Sequence, residues 1–384
     1  MKLLFVHDHI FVRYKGKIYS NTFSYDILKR YIQQFSSITF VARYKDVEDS
    51  VDLPLASGDG VEFILLDSIS NLSSFFGLRQ KYKKLLINLI KQHDRVIVRL
   101  PSEFAILTAK IAQQHHKSYM AEVVGCGWGA MINYGGVTSK IYAPLLYIRM
   151  QKAVKGAGYV LYVTNEFLQK RYPASSDTKT ISLSNVNISV SKKVLKYRLS
   201  KIELLKEKVI FGTIAKVDLK YKAIDTVIRT LSMIDTNLYD FEYRIVGDGN
   251  HTQLQKLAKK LHIENKVFFD GLYTSKKSLN SWLDNIDIYI QPSKQEGLPR
   301  ALIEAMSRGC PAIASDVGGI PELLDQEMLF SHKDITTFIY LLETLPIDID
   351  KMKEQAIKNH KKSYEFETHI LEQKRKEFLE QFKN

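Results

Sequence analysis

Glu296 and Glu304, with seven residues between them, lie in the stretch IQPSKQEGLPRALIEAMSRGCPAIASDVGGIPELL at positions 290–324. Glu296 falls on a polar loop, and Glu304 about one and a half turns into the helix that follows. Between them Gly297, Leu298 and Pro299 lead into the first helical turn. The unpaired backbone N–H groups there, together with the helix dipole, favour an anion.

The elements that must hold these groups can be read directly. An apolar run at 286–290 reads as a buried strand and stops at Gln291-Pro292-Ser293. Pro299 opens a helix with Leu302, Ile303 and Met306 on its apolar side. Gly309 closes it, and a second strand follows at 310–315. In such strand–loop–helix–strand units, ligands sit at the carboxyl end of the strand and the start of the helix.

EGLPRALIEA at 296–305, followed in register by GCPAIASDVGGIPEL at 309–323, resembles the donor-site signature of the GT-B glycosyltransferases of family 4, the retaining nucleotide-sugar enzymes. The resemblance implies an α/β fold of two Rossmann-like, doubly wound parallel-sheet domains facing a cleft. The expected domains are an acceptor-binding one at 1–185, joined by a returning helix at 365–384, and a donor-binding one at 186–364. Ser184-Asn185-Val186-Asn187 is similar to the family's asparagine-containing crossing between them.

By the same resemblance, Lys216 and Lys222 on the loop at 216–222 grip the donor diphosphate. The family's Arg is a Lys here, which keeps the charge but loses bidentate geometry, and its Lys-Gly is Lys222-Ala223. Gly247 in the turn Gly247-Asp248-Gly249 lies on the phosphate side. Gly271 and Leu272 supply backbone contacts to the base. Glu304 accepts from the ribose hydroxyls, and Glu296 touches the sugar ring. The two lysines do the electrostatic work of a metal, so neither metal nor other cofactor is implied. The donor is a UDP-, GDP- or other NDP-sugar.

On the acceptor side the family's loop after the first strand corresponds to the segment containing Lys15-Gly16-Lys17, where Gly16 is either a ligand contact or a plain turn residue. The glycine-rich stretch EVVGCGWGAMINYGG at 122–136 carries Cys126-Gly127-Trp128 where many members have His or Asp. Glu122 is the substitute, or else a carboxylate salt-bridged at a strand end. The implied acceptor is a glycan or polyprenyl-linked sugar, most often in bacterial surface-polysaccharide assembly. A rival from another class is a non-catalytic GT-B subunit that binds a partner glycosyltransferase or lipid.

Elsewhere, short β-rich runs at 3–7, 38–42, 61–66, 95–100, 118–124, 159–163 and 180–183 alternate with helical periodicity at 25–34, 82–92, 104–115 and 141–155. That alternation signals a parallel sheet covered on both faces. The second half repeats it, with strands at 209–215, 241–246 and 266–271. A chain of 384 residues with 45% apolar composition suits two cores. No uncharged apolar run approaches the roughly 18 residues of a spanning helix, and the start, MKLLFVHD, turns charged too early for a signal peptide. A cytoplasmic protein is therefore expected. Cys126 and Cys310, without ligand-spaced companions, argue against a zinc site.

Of the net charge of +13, residues 1–190 hold +10 (24 Lys/Arg against 14 Asp/Glu), so this half is expected to meet something anionic. Phe75 and Phe76 beside Arg79, Lys81, Lys83 and Lys84 suit an anionic membrane interface as well as they suit core and solvated flank. Nucleic acid is not expected, because no reading motif accompanies the basic excess.

Overall fold

The computed structural model describes residues 1–48, 51–66, 72–134, 136–204 and 208–384, with backbone alone at 72–80 and 134. The chain divides into two compact units. One comprises Met1–Trp128, Tyr142–Leu183 and Glu372–Asn384; the other comprises Gly129–Ile141 and Ser184–Leu371.

In the first unit the strands are β1 (Lys2–Tyr14), β2 (Lys17–Tyr19), β3 (Ser37–Asp46), β4 (Val61–Leu66), β5 (Arg95–Leu100), β6 (Tyr119–Val123), β7 (Tyr159–Tyr162) and β8 (Lys179–Ser182). They form one sheet in the order β4-β3-β1-β5-β6-β7-β8, parallel throughout except where β2 pairs antiparallel with β1. Leu3, Leu4, Phe5 and Val6 are all fully buried. A strand that is apolar on both sides can only be central in a sheet covered on both faces, which is why β1 lies inside the order. Around it Phe5, Phe23 and Phe40 pack with ring centroids 4.7–5.9 Å apart.

The helix Thr368–Lys383 closes this unit with its last turns. Phe382 packs on Tyr159 at 5.2 Å, and Arg95 donates to the carbonyls of Phe382 and Lys383. The arginine thus satisfies two carbonyls that a helix terminus otherwise leaves unpaired.

The second unit holds β9 (Lys208–Ile214), β10 (Asp240–Val246), β11 (Val267–Gly271), β12 (Ile288–Gln291), β13 (Ala312–Ser315) and β14 (Leu329–Phe330). They form an all-parallel sheet in the order β11-β10-β9-β12-β13-β14. Every residue of β12 and β13 is buried. The helix Ile224–Leu231 covers one face with Val227, Ile228 and Leu231. Both units thus have the α/β parallel-sheet fold expected from the alternation.

One local expectation is corrected, and two elements appear that the sequence did not announce. β1 does not stop at His7. A register shift between Val6 and Ile10 absorbs the polar His7-Asp8-His9, after which Ile10-Phe11-Val12 resume pairing with β3. What was expected as a loop is therefore strand and hairpin. The glycine-rich stretch after Glu122 contains a helix, Gly127–Tyr134, where apolar Trp128, Met131 and Ile132 outweigh the low propensity of glycine. The two-residue β14 was too short to register as a pattern.

Candidate active site

In the second sheet the chain lays β10 and β11 to one side of β9, then returns to place β12 on the other side. The carboxyl ends of β9 and β12 therefore flank the point where the winding reverses, which is where open α/β sheets bind ligands. The two loops leaving those ends carry Lys222 and Glu296.

The loops are stitched together. The Lys294 N–H donates to the Tyr221 carbonyl at 2.7 Å, and Lys222 Nζ lies 2.6 Å from Glu296 Oε1. Both side chains of that pair are mostly buried, 19% and 12% exposed. Beneath it runs a buried polar chain from β12. The Tyr289 hydroxyl donates to Gln291 Oε1 at 3.0 Å, and Gln291 Nε2 donates to Ser293 Oγ at 2.9 Å and to Glu296 Oε1 at 3.2 Å. Two donors thus fix Glu296 through one oxygen. No hydrogen-bond donor among the described residues reaches Oε2, which stays available to a ligand hydroxyl.

A glycine sets how closely the neighbouring loop approaches. Gly318 has φ +63°, and a Cβ there would stand 2.2 Å from the carbonyl oxygen of Glu296. The next residue, Gly319, donates its N–H to the Gly297 carbonyl at 2.8 Å. Gly318→Ala is therefore expected to push the Glu296 loop outward, at a cost of about 2 kcal/mol from the left-handed backbone alone. A lower melting temperature together with weaker nucleotide-sugar binding would show it; an unchanged variant would mean the two loops do not depend on each other.

Glu304 lies on the helix Arg300–Ser307, with Pro299 at its N-cap. It is partly buried, and desolvation raises its pKa above the ordinary carboxylate range against the opposing pull of Arg300 and Lys276. Glu304 and Glu296 both act on the Tyr289 hydroxyl, whose pKa burial already raises, so the two carboxylates share one neighbourhood. Lys276 is itself steadied by Asn187 Oδ1 at 2.9 Å.

The other donor-side residues fall on the same carboxyl edge. Gly247 follows β10 and donates its N–H to the Gly271 carbonyl at 2.8 Å; a Cβ on it would collide with the Ala215 carbonyl. Gly271 adopts φ +74° at the end of β11, and Leu272 is half exposed. Lys216 departs from the expected grouping. It is exposed and directed to Asp248 at 3.9 Å, not to the Lys222–Glu296 pair.

On the acceptor side each residue falls where the second of its two readings put it. Gly16, at φ +74°, forms the exposed turn between β1 and β2, a conformation that by itself calls for glycine. Glu122 is fully buried within β6, where it accepts from the Tyr31 hydroxyl at 2.7 Å and pairs with Arg99 at 2.8 Å. Both oxygens are used, so Glu122 holds the sheet together instead of facing a ligand. Phe75, Phe76 and Arg79 lie outside the described side chains.

A polar cluster that the sequence did not single out occupies the reversal point of the first sheet, between β1 and β5. His7 Nδ1 lies 3.1 Å from the Arg99 carbonyl, and His9 Nε2 lies 2.8 Å from Ser20 Oγ. Asp8 accepts the N–H groups of Glu103 and Phe104 at the start of the helix Glu103–Gln114, and Arg43 donates twice to the Asp8 carbonyl. Burial lowers the pKa of His7 and pushes that of His9 down to about 4, so both imidazoles are neutral at neutral pH. The available signal was the H-D-H triplet, hidden because it looked like a strand end.

Residues 198–363 match the model of the family described as glycosyl transferases group 1. The protein CapJ of Staphylococcus aureus is 32% identical over 369 residues, covering 94% of this chain and 90% of CapJ. The O-antigen biosynthesis glycosyltransferase WclY of Escherichia coli is 35% identical over 125 residues, 31% of this chain and 33% of WclY. The structure of Anabaena HepE in complex with UDP-glucose superposes with a TM-score of 0.65 at 15% identity, covering 99% of this chain and 100% of that one, a likeness of fold. With a near full-length relative above 30% identity and the family model over the unit that carries the site, the chain belongs to the glycosyl transferases group 1, with the GT-B fold.

Proposed function

We propose that this chain is a retaining glycosyltransferase that moves a sugar from a nucleoside-diphosphate sugar to a glycan or polyprenyl-linked acceptor in the building of a bacterial surface polysaccharide. The observation that carries the reading is the Lys222–Glu296 pair at the reversal point of the second sheet, with Glu304 close by. The name of the O-antigen relative WclY and the UDP-glucose bound to HepE support the polysaccharide role and the donor class.

Breaking the bond from the anomeric carbon to phosphate leaves positive charge on the sugar and negative charge on the departing diphosphate. Groups that hold the diphosphate more tightly as its charge grows lower the barrier. Lys222 supplies an ammonium at that point, and Lys216, exposed on the same loop, is the second cation proposed for the diphosphate. The N–H groups of Gly297, Leu298 and Arg300 add the helix terminus, and this charge serves in place of a divalent metal. Glu304 accepts from the ribose hydroxyls, and the open oxygen of Glu296 accepts from the sugar. The acceptor oxygen bonds to the anomeric carbon on the face the phosphate leaves, and its proton passes to the departing phosphate oxygen. The neutral imidazoles of His7 and His9 are the acceptor-side groups of the first sheet. A lipid-linked acceptor places the protein in the cytoplasm, peripherally at the inner face of the membrane.

A thermal-shift screen against UDP-, GDP-, ADP- and TDP-sugars tests this. One nucleotide should raise the melting temperature by several degrees, since ligand at a hundred times its dissociation constant contributes about 2.7 kcal/mol. No shift with any of them would defeat the reading. Binding with neither slow hydrolysis nor transfer would make the chain a non-catalytic subunit.

A further inference from the structure

Trp128 lies in the first turn of the helix Gly127–Tyr134, which follows β6, and Arg171 ends the short helix Phe167–Arg171, which follows β7. Gly127 lets the first of these segments lie tight on its neighbour, since a Cβ there would stand 3.1 Å from Met150 Sδ and 3.3 Å from Leu146. Trp128 thereby meets Tyr147 edge to face, with ring centroids 6.0 Å apart. Gln151 Nε2 donates to the Arg171 carbonyl at 3.1 Å and ties the second segment to the turn beyond Tyr147. The Arg171 guanidinium then stands 5.4 Å from the centre of the Tyr147 ring and 5.9 Å from that of Trp128. All these residues belong to the first unit.

What this guanidinium lacks is a counter-ion. Arg13, Arg99 and Arg149 of the same unit each meet a carboxylate. Arg171 meets none among the described residues, and its Nε is buried without a hydrogen-bond partner. Trp128 Nε1 and the Tyr147 hydroxyl are likewise without a partner among the described residues. The two rings return part of what a desolvated cation loses, yet its N–H groups stay unmade. Arg171, Trp128 and Tyr147 are all partly exposed, so a ligand can reach them.

We propose that these three side chains form an acceptor subsite that takes a uronic acid residue, with the sugar carboxylate on the Arg171 guanidinium and the ring against the indole. Guanidinium and indole N–H groups only donate, which suits an anion and not a metal ion. The guanidinium fork matches a carboxylate held by two parallel hydrogen bonds. One guanidinium over the rings balances a single negative charge, as a carboxylate carries, whereas a phosphate dianion asks for more. Indole and phenol add apolar area with a polar edge. That matches a pyranose, which has an apolar C–H face and a rim of hydroxyls. A neutral sugar would leave the cation unanswered, and a bare anion would leave the rings unused.

The inference deepens the acceptor of the reading above, on which it rests for its purpose, while the binding itself needs no donor. Titration of the full chain with methyl glucuronide, followed by tryptophan emission, tests it against methyl glucoside, which differs only in lacking the carboxylate. The glucuronide should change the emission, and the glucoside should bind about tenfold more weakly. Arg171→Gln should bring the glucuronide down to the level of the glucoside. Arg171→Lys keeps the charge and a stem against the two rings but not the fork, so it should fall between, and it covers a glutamine variant that loosens the fold. Trp128→Phe should remove the emission change and so assign it to this indole. No response to the glucuronide, equal binding of the two glycosides, or undiminished binding by both Arg171 variants would overturn the proposal. So would glucose 1-phosphate binding more tightly than the glucuronide, since the anion read would then be a phosphate. Glucuronide binding by a chain that no nucleotide sugar stabilises would sink the enzyme reading and leave the subsite standing; a chain that a nucleotide sugar stabilises and that ignores the glucuronide would do the reverse.

Discussion

Replacing Lys222 by alanine should lower turnover roughly a hundredfold to a thousandfold, the usual size of effect when one group stabilising transition-state charge is removed. Nucleotide-sugar affinity should fall much less, because the ammonium is needed most once the diphosphate is leaving. The substitution also strands Glu296, which loses its 2.6 Å partner and keeps only Gln291. A stability loss is therefore expected alongside, and it must be separated from the catalytic one. Pairing Lys222→Ala with Glu296→Gln does so. The double variant should melt near the wild-type temperature, since no unpaired carboxylate remains, yet stay inactive. Lys222→Arg should recover part of the rate, having the charge but a bulkier, planar head in place of the compact ammonium. A Lys222→Ala enzyme turning over within twofold of wild type would remove this residue from the chemistry.

Glu304→Gln should weaken nucleotide-sugar binding roughly tenfold to a hundredfold, the worth of replacing a charged acceptor of one or two hydroxyl hydrogen bonds by a neutral one. The same variant should be more stable than the wild type at neutral and higher pH. Desolvation raises the native pKa of Glu304 above its unfolded value. Stability associated with the neutral carboxyl is thus fully present below the unfolded pKa and is lost as pH rises through the folded one. Glutamine never ionises, so the two melting temperatures should converge near pH ~4 and separate in favour of the variant above it. Opposite signs for binding and stability are what a carboxylate kept for a ligand predicts. A variant that loses stability at neutral pH and keeps its affinity would instead make Glu304 a structural residue.

The sequence by itself determined the alternation of strands and helices, and with it two parallel sheets. It also fixed the unit from β12 through the helix Arg300–Ser307 to β13, whose limits follow from Pro299 and Gly309. These are local matters, since a buried strand needs a short apolar run and a helix needs its stripe, its start and its stop. The two lysines of one loop looked equivalent in sequence, and only the fold turned Lys222 to Glu296, 74 positions away, while Lys216 met Asp248. Likewise Glu122 read as a strand-end carboxylate until Tyr31, 91 positions away, and Arg99 closed around it. The bulge that sets His7-Asp8-His9 at the reversal point of the first sheet was hidden by a polar triplet that resembles a strand end. The helix Val137–Lys155, with apolar residues on more than one side, gave no sign of which side would be buried. Polar partners and exposed faces of this kind depend on contacts between segments far apart in the chain. Local periodicity fixes which side of an element is apolar, and only tertiary packing decides what that side, or a buried charge beside it, will meet.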